Sequence, residues 1–187
     1  MASFLAYPGL GDRVFDNQNG FEYWPAPKLQ PPALLGLLGL ASLAGIASAS
    51  VAVANMRGWY AALTPPPLTP PNPMPIAGWG LLAIIYVLMA GAAWQVLRPA
   101  NPATHQRSAI FAWGWQLALG AAWPAVFFGF HAMLAALVIA AMLVASIAAT
   151  IRRFARLDLT AAILLVPNLA WAGFLIYLNA GFWWLNQ

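Results

Sequence analysis

Long apolar runs alternate with short polar segments along the 187-residue chain. The runs cover approximately residues 33–54, 76–97, 108–128, 133–151 and 159–185, and none of them contains a charged residue. About 20 apolar residues are enough to carry a helix across the hydrocarbon core of a bilayer. The pattern therefore predicts an all-α integral membrane protein, with five transmembrane helices in a single domain over residues 33–187.

The segments outside the runs have two distinct characters. Residues 1–32 are polar and rich in Pro, Gly and Asn, and they lack the charged-then-apolar order of a cleavable signal peptide. The loop after the first run has the sequence TPPPLTPPNP over residues 64–73. Proline fixes φ and removes a backbone donor, so this loop is expected to be stiff and extended. Pro124 and Pro167 lie inside runs and predict kinks there.

The charge content excludes several classes of function. Only 6% of residues are charged, and the acidic residues are Asp12, Asp16, Glu22 and Asp158, all outside the runs. No carboxylate is therefore available for a paired acid–base site or a proton relay inside the membrane. Cysteine is absent, and the basic residues are too dispersed to bind nucleic acid. We predict no enzymatic activity, no metal site and no nucleic-acid partner.

The distribution of basic residues predicts the orientation of the bundle. With five crossings, one side of the membrane carries seven basic residues and the other carries only Arg57; the seven are Arg13, Lys28, Arg98, Arg107, Arg152, Arg153 and Arg156. Basic loops normally remain in the cytoplasm. The N-terminal extension is therefore expected to be cytoplasmic and the proline-rich loop to face outward.

Polar and aromatic residues recur at helical spacing on two of the runs. The third run carries Gln116, Gly120, Trp123 and Phe127, and the fifth carries Asn168, Trp171, Leu175, Leu178 and Asn179. Each set shares one helical face, so the two faces could enclose one pocket. Amides at membrane depth should face the bundle interior, where either interhelical hydrogen bonding or ligand contact would satisfy them.

Several other residues are candidates for binding. Within the extension, Phe15, Phe21, Tyr23 and Trp24 could anchor a partner protein at the membrane surface, or could pack back on the bundle or the headgroups. His131 could hold a haem or chlorophyll metal, although an interfacial histidine is the simpler interpretation. A stripe of small residues, Ala41, Gly45 and Ala49, permits close helix packing either inside the bundle or against another protein.

From Trp59 to Asn186 the chain resembles the tryptophan-rich sensory protein/translocator protein (TspO/MBR) family. The motifs that carry the resemblance occur in the family's order: Trp59-Tyr60, Leu63, Pro66, Pro70-Pro71, Trp79, Tyr86, Met89, Gln116-Leu117-Ala118, Trp123-Pro124, Phe127-Phe128-Gly129, Leu157-Asp158, Leu165-Val166-Pro167, Leu169-Ala170-Trp171, Leu178-Asn179 and Leu185-Asn186. The resemblance implies a five-helix bundle, often dimeric, with a pocket beneath the first loop that binds porphyrins and, in animal members, cholesterol. Transport, sensing, stress regulation and porphyrin degradation have all been proposed for the family.

The resemblance completes the predicted set of ligand contacts: Trp79, Tyr86, Gln116, Trp123, Phe127, Asn168, Trp171 and Asn179. The chain also departs from the family pattern within this set. Gly120 stands where Asn is common, Asn168 where Tyr is common, and Pro65 where a basic residue is usual. The terminal sterol-recognition pattern is missing after Leu178-Asn179, so sterol binding through it is not expected.

Two functional hypotheses follow. In the first, which the altered pocket favours, the chain is an accessory subunit of a larger membrane assembly, such as a bacterial photosynthetic pigment–protein complex, in the bacterial inner membrane. In the second it is a free-standing tetrapyrrole-binding sensor or transporter. The candidate occupants of the pocket are a tetrapyrrole, a carotenoid or a lipid, and the candidate partners are membrane lipids, other membrane subunits or a second copy of the chain. A porphyrin-degrading enzyme ranks third, because only the resemblance supports it.

Overall fold

The computed structural model describes residues 31–71, 75–98 and 103–187. These ranges contain α1 (Pro31–Asn55), α2 (Ile76–Val96), α3 (Ala103–Pro124), α4 (Met133–Ala155), α5 (Leu159–Leu164) and α6 (Val166–Leu185), together with a short 3-10 helix and a π-helical turn. They contain no strand. Helices α5 and α6 form one crossing, so five segments are long and apolar enough to span a membrane. The predicted all-α five-helix membrane bundle is confirmed.

The N-terminal extension lies almost wholly outside the described residues. Its four proposed anchors, Phe15, Phe21, Tyr23 and Trp24, belong to that part of the chain, and their role in binding a partner stays a prediction.

Both proline-containing crossings are interrupted where kinks were expected. Helix α3 ends at Pro124 and continues as the π-helical turn Ala125–Gly129. The fifth crossing breaks at Leu165, and Pro167 then occupies the first turn of α6. Proline has no backbone N–H to donate, and its ring clashes with the preceding turn of a helix. A helix therefore ends at a proline, as α3 does, or has the proline in its first turn, as α6 does.

The outer surface of the bundle is apolar. Leu43, Ile46, Phe111 and Val138 are among the large hydrophobic side chains that are more than half exposed. In water such a surface would drive aggregation, whereas in a bilayer lipid tails cover it without penalty. The described segments thus have the exterior of a membrane protein.

The helices pack unevenly against one another. Helix α4 packs against α3, α5 and α6. Helix α1 packs against α2 and α3, and α2 packs against α5 but barely touches α6. The half of the bundle remote from the proline loop is closed by a core around Ala90, Ala93, Val96, Trp113 and Phe154, all essentially buried. We call this half the distal core.

The proline loop, here residues 63–71, is less extended than its sequence suggests. The Thr69 N–H donates to the Pro66 carbonyl at 3.3 Å, which closes a turn over Pro67 and Leu68. Leu68 has a φ of 64°. Proline in the second position of a turn is favourable, and a positive φ in the third position completes the reversal. The expectation of a uniformly extended loop was therefore wrong at this turn.

Candidate ligand-binding cavity

A cavity of about 500 Å³ lies between α1, α2, α3 and α6, on the loop side of the distal core. This volume is within the range of pockets that hold small organic ligands. Pro70 and Pro71 of the proline loop also line it. The cavity thus occupies the gap that the helix packing leaves open.

The structure brings all eight predicted ligand contacts to this one cavity. The residues that line it include Trp79, Tyr86, Gln116, Trp123, Phe127, Asn168, Trp171 and Asn179. The three amide side chains among them are buried in the bundle interior, as their polarity predicted. Their contact with a ligand remains a prediction.

Aromatic rings form one wall of the cavity. The rings of Trp123 and Phe127 are stacked, with centroids 5.2 Å apart and planes at 16°. Phe127 also meets Phe182 edge-on at 5.8 Å, and the π-helical turn keeps both Phe127 and Phe128 buried. Stacked and edge-to-face pairs of this kind reinforce one another, so the wall presents fixed faces to an occupant.

Helix α1 supplies a wall that the sequence did not predict. Gly45 packs on Tyr86 so closely that a Cβ on Gly45 would lie 3.0 Å from the tyrosine ring. Ser48 and Ala49 line the cavity beside it. The stripe of small residues on α1 was the sequence feature that could have indicated this wall. It permitted packing either inside the bundle or against another protein, and at Gly45 the structure shows packing inside the bundle.

Some residues of α1 and α2 that line the cavity are also exposed. Ser42 and Ile46 of α1, and Ala83 and Val87 of α2, line the cavity and are also exposed.

The proline loop is fixed to the end of α6 by direct contacts. The Thr64 N–H donates to Asn186 Oδ1 at 2.7 Å, and Asn186 Nδ2 donates back to the Thr64 carbonyl at 3.0 Å. The Tyr177 hydroxyl donates to the Pro67 carbonyl at 2.9 Å. Pro66 sits so close to Gly181 that a Cβ there would lie 2.6 Å from the proline ring. These contacts hold the loop against one end of the cavity.

The cavity wall is electrically neutral. None of its described residues is an Asp, Glu, Lys, Arg or His. Burial raises the pKa of the Tyr60 phenol above its ordinary value, so this lining residue stays protonated at neutral pH. A neutral, mostly apolar site favours neutral, mostly apolar ligands.

Several polar atoms in this wall have no hydrogen-bond partner among the described residues. They are Gln116 Oε1, Gln116 Nε2, Trp123 Nε1 and Asn179 Oδ1. The other amide atom of Asn179, Nδ2, donates to the Met133 carbonyl at 2.9 Å. Because buried polar groups are nearly always paired, these four atoms are exceptions within the described part of the chain.

His131 lies away from the cavity. Its ring stacks on Trp59 at 4.4 Å, it is exposed, and its backbone has a φ of 56°. The position agrees with an interfacial histidine rather than with a ligand to a metal inside the pocket. No group of three or more His, Cys, Asp or Glu side chains that could hold a metal ion occurs in the described segments.

Comparison with known proteins assigns the chain to a family. Residues 37–185 match the model of the TspO/MBR family. The tryptophan-rich protein TspO of Chlorobaculum tepidum is 31% identical over 142 residues, which are 76% of this chain and 88% of the relative. Protein CrtK of Rhodobacter capsulatus is 29% identical over 75% of this chain and 86% of its own length. The translocator protein of Bos taurus is 32% identical over 82% of this chain and 89% of its own. The chain therefore belongs to the TspO/MBR family of membrane proteins.

Proposed function

We propose that the protein is a non-enzymatic binding protein that holds a large, flat, mostly apolar ligand of the tetrapyrrole class in the cavity. The observation that carries the proposal is the neutral 500 Å³ cavity, with its stacked Trp123–Phe127 wall and the anchored proline loop at its end. Relatives of the chain are named tryptophan-rich sensory protein and translocator protein, and both names suit a binding role.

The chemistry of the cavity supports binding rather than catalysis. Stacking on aromatic faces adds about 0.5–1.5 kcal/mol per ring pair to the free energy of burying apolar area. Its neutral lining offers no carboxylate, imidazole or amine to transfer a proton. An apolar ligand would reach the cavity from the membrane, because the exterior of the bundle is apolar.

The test is a titration of protein in detergent with protoporphyrin IX dimethyl ester, a neutral porphyrin, followed by its Soret absorbance. Trp171→Ala removes a lining ring from α6 and should weaken binding about tenfold, equivalent to roughly 1.4 kcal/mol. Trp115→Ala is the matched control, because Trp115 is exposed and does not line the cavity. Equal affinities in wild type, Trp171→Ala and Trp115→Ala would contradict the proposal.

A second candidate function is that of an accessory subunit in a larger membrane assembly, such as a photosynthetic pigment–protein complex. The observation that favours it is on α1, the span with the smallest buried share. Gly36 and Gly39 lie on its exposed surface, with nothing within 4 Å of an added Cβ. Small residues on a lipid-facing surface let another transmembrane helix approach closely.

The subunit hypothesis predicts that bulky residues at the α1 surface disrupt assembly. The complex that contains the double variant Gly36→Ile/Gly39→Ile should have a lower mass than the wild-type complex. Native mass spectrometry of protein extracted from its own membrane measures both masses. Gly80→Ile on α2 is the control, since Gly80 is also exposed with open space around it. Identical masses for wild type and the double variant would count against this surface.

A further inference from the structure

The end of the bundle beyond the distal core carries most of the charge of the described chain. Helices α2 and α4 end there and α3 and α5 begin there, because Val96, Ala109, Phe154 and Ala161 share one buried cluster. One carboxylate, Asp158, lies at this end. The guanidinium groups at the same end are those of Arg98, Arg107, Arg152, Arg153 and Arg156. We call this part of the molecule the arginine end.

Some of these charges have a local role at the end of a helix. Arg152 and Arg153 lie in the last turn of α4, where positive charge stabilises the helix dipole, and Arg153 Nη1 donates to the Ala149 carbonyl at 3.3 Å. Asp158 caps α5, since its Oδ1 accepts a backbone N–H at 2.9 Å. Neither role accounts for the surroundings of Arg98.

Arg98 is held in place by its neighbours. Its carbonyl accepts from Gln106 Nε2 at 2.7 Å, which ties the end of α2 to α3. Its Cζ lies 5.2 Å from the centroid of the Trp94 ring, one turn earlier on α2, in a cation–π contact. Arg98 Nε is buried and has no hydrogen-bond partner among the described residues. A buried charged donor without a partner is costly, and an acceptor at this position would remove that cost.

An apolar surface continues from this end along α3. Arg107 follows Gln106 directly, and Phe111 lies one turn further along the same face of the helix. Phe111 is 76% exposed. Arg98 comes just after one candidate span and Arg107 lies in the first turn of the next, so both mark the level at which the hydrocarbon begins. Charge at that level and an apolar surface beyond it are what a phospholipid requires.

We propose that the arginine end binds an anionic phospholipid, whose phosphate accepts hydrogen bonds from the Arg98 guanidinium and whose acyl chain lies along α3 past Phe111. Guanidinium and phosphate match in a bidentate pair, and Nε supplies one of the two donors. Five guanidinium groups against one carboxylate favour a headgroup of net negative charge over a zwitterionic one. Neither Arg98 nor Phe111 lines the cavity, so this inference is independent of the proposed function.

Other anions fit this surface less completely. A free phosphate ion would pair with Arg98 but would leave Phe111 without a partner. An acidic protein segment would likewise use the charge without needing an apolar surface at membrane depth. A phospholipid contacts both, because its phosphate and its acyl chains lie in that order across the interface.

The test is native mass spectrometry of delipidated protein in detergent, titrated with dioleoylphosphatidylglycerol or with zwitterionic dioleoylphosphatidylcholine. Wild type should bind the first phosphatidylglycerol molecule about tenfold more tightly than the first phosphatidylcholine molecule. Arg98→Gln should weaken phosphatidylglycerol binding about fivefold and leave phosphatidylcholine binding nearly unchanged. Equal affinities of wild type for the two lipids would refute the proposal.

Two variants separate a built site from general attraction by positive charge. Arg57→Gln removes the same charge at the opposite end of the bundle and should leave phosphatidylglycerol affinity unchanged. Arg98→Lys keeps the charge but loses the planar stacking and the bidentate edge, so it should bind phosphatidylglycerol about threefold more weakly than wild type. A loss in Arg57→Gln as large as that in Arg98→Gln, or wild-type affinity in Arg98→Lys, would overturn the assignment to Arg98.

The remaining arms test the apolar contact and the source of the phosphate. Phe111→Ala should weaken phosphatidylglycerol binding about threefold, because an apolar contact with the acyl chain is lost. Phe130→Ala, which is equally exposed but lies beyond the other end of α3, should not weaken it. This pair also keeps the proposal testable if Arg98→Gln does not fold, and equal affinities in the pair would count against the lipid. Displacement of phosphatidylglycerol by an excess of inorganic phosphate would show a site for the free ion and would overturn the proposal.

Discussion

Two tryptophans on the same helix, α3, have opposite surroundings. Trp113 belongs to the distal core, where it is 1% exposed and its Nε1 donates to the Met89 carbonyl at 3.0 Å. Trp123 lies nearer the proline loop, where its ring lines the cavity and its Nε1 has no partner among the described residues. The Trp113 ring is enclosed by the distal core. The Trp123 ring borders the cavity, and its N–H is unpaired among the described residues.

The two halves of the bundle differ in the same way. Small residues such as Ala90, Ala92 and Ala93 let the helices of the distal core approach until almost no space remains. Near the loop, no described atom lies within 4 Å of a Cβ added at Gly120, and the Gln116 amide has no partner among the described residues. Because close packing and satisfied hydrogen bonds are the ordinary state of a protein interior, the loop half departs from that state at the cavity.

The largest effect that we predict is on the free energy of unfolding, and it differs between Trp113 and Trp123. Trp113→Ala should lower the free energy of unfolding by about 3–5 kcal/mol, because it leaves a large hole in a close-packed core and removes the hydrogen bond from Trp113 Nε1 to the Met89 carbonyl. Trp123→Ala should lower it by less than half as much, since its ring already borders a cavity. Denaturant unfolding in mixed micelles measures both. Equal losses would contradict the contrast between the two halves.

A smaller effect is expected at the contact between α6 and the proline loop. Gly181→Ala would place a methyl group against Pro66 and should destabilise the protein by about 1–3 kcal/mol through overpacking. Gly173→Ala on the same helix is the control, because nothing lies within 4 Å of an added Cβ there. That control should be neutral or slightly stabilising, since alanine favours helix. Thermal unfolding of the two variants compares them, and similar midpoints would argue against a tight loop contact.

The sequence predicted the crossings and two walls of the cavity because those features are local. Uncharged runs of sufficient length define the spans, and Gln116, Trp123 and Phe127 share a face at spacings that a helix imposes. The same reasoning placed Asn168 and Trp171 on one face of the fifth crossing. These residues needed only helical periodicity to be found.

The features that the sequence did not predict depend on contacts between distant segments. Gly45 meets Tyr86, and Gly181 meets Pro66, only after the helices have packed. The chain turns at Leu68 because this residue has a positive φ, which leucine in a sequence does not predict. Whether Gln116 bonds to another helix or faces a cavity was likewise undecidable, because a buried amide suits both arrangements.

The smallest effect that we predict concerns the hydrogen bonds that hold the loop. Asn186→Ala removes both hydrogen bonds to Thr64 and should lower the free energy of unfolding by about 0.5–1.5 kcal/mol. The loss is small because the two residues are partly exposed. Its clearest readout is hydrogen exchange of the Thr64 N–H, which should become about tenfold faster. Gln187→Ala, one residue further along, serves as the control. An unchanged exchange rate in Asn186→Ala would mean that the loop is held by its other contacts.

The central claim is that the loop half of the bundle keeps a cavity open for a ligand, and filling that cavity tests it most directly. Gly120→Phe projects a ring into the open space, whereas Gly114→Phe places the same ring on α3 away from the lining. Titration of both folded variants with protoporphyrin IX dimethyl ester should show saturable binding lost in Gly120→Phe and retained in Gly114→Phe. Wild-type affinity in a folded Gly120→Phe protein would contradict the account.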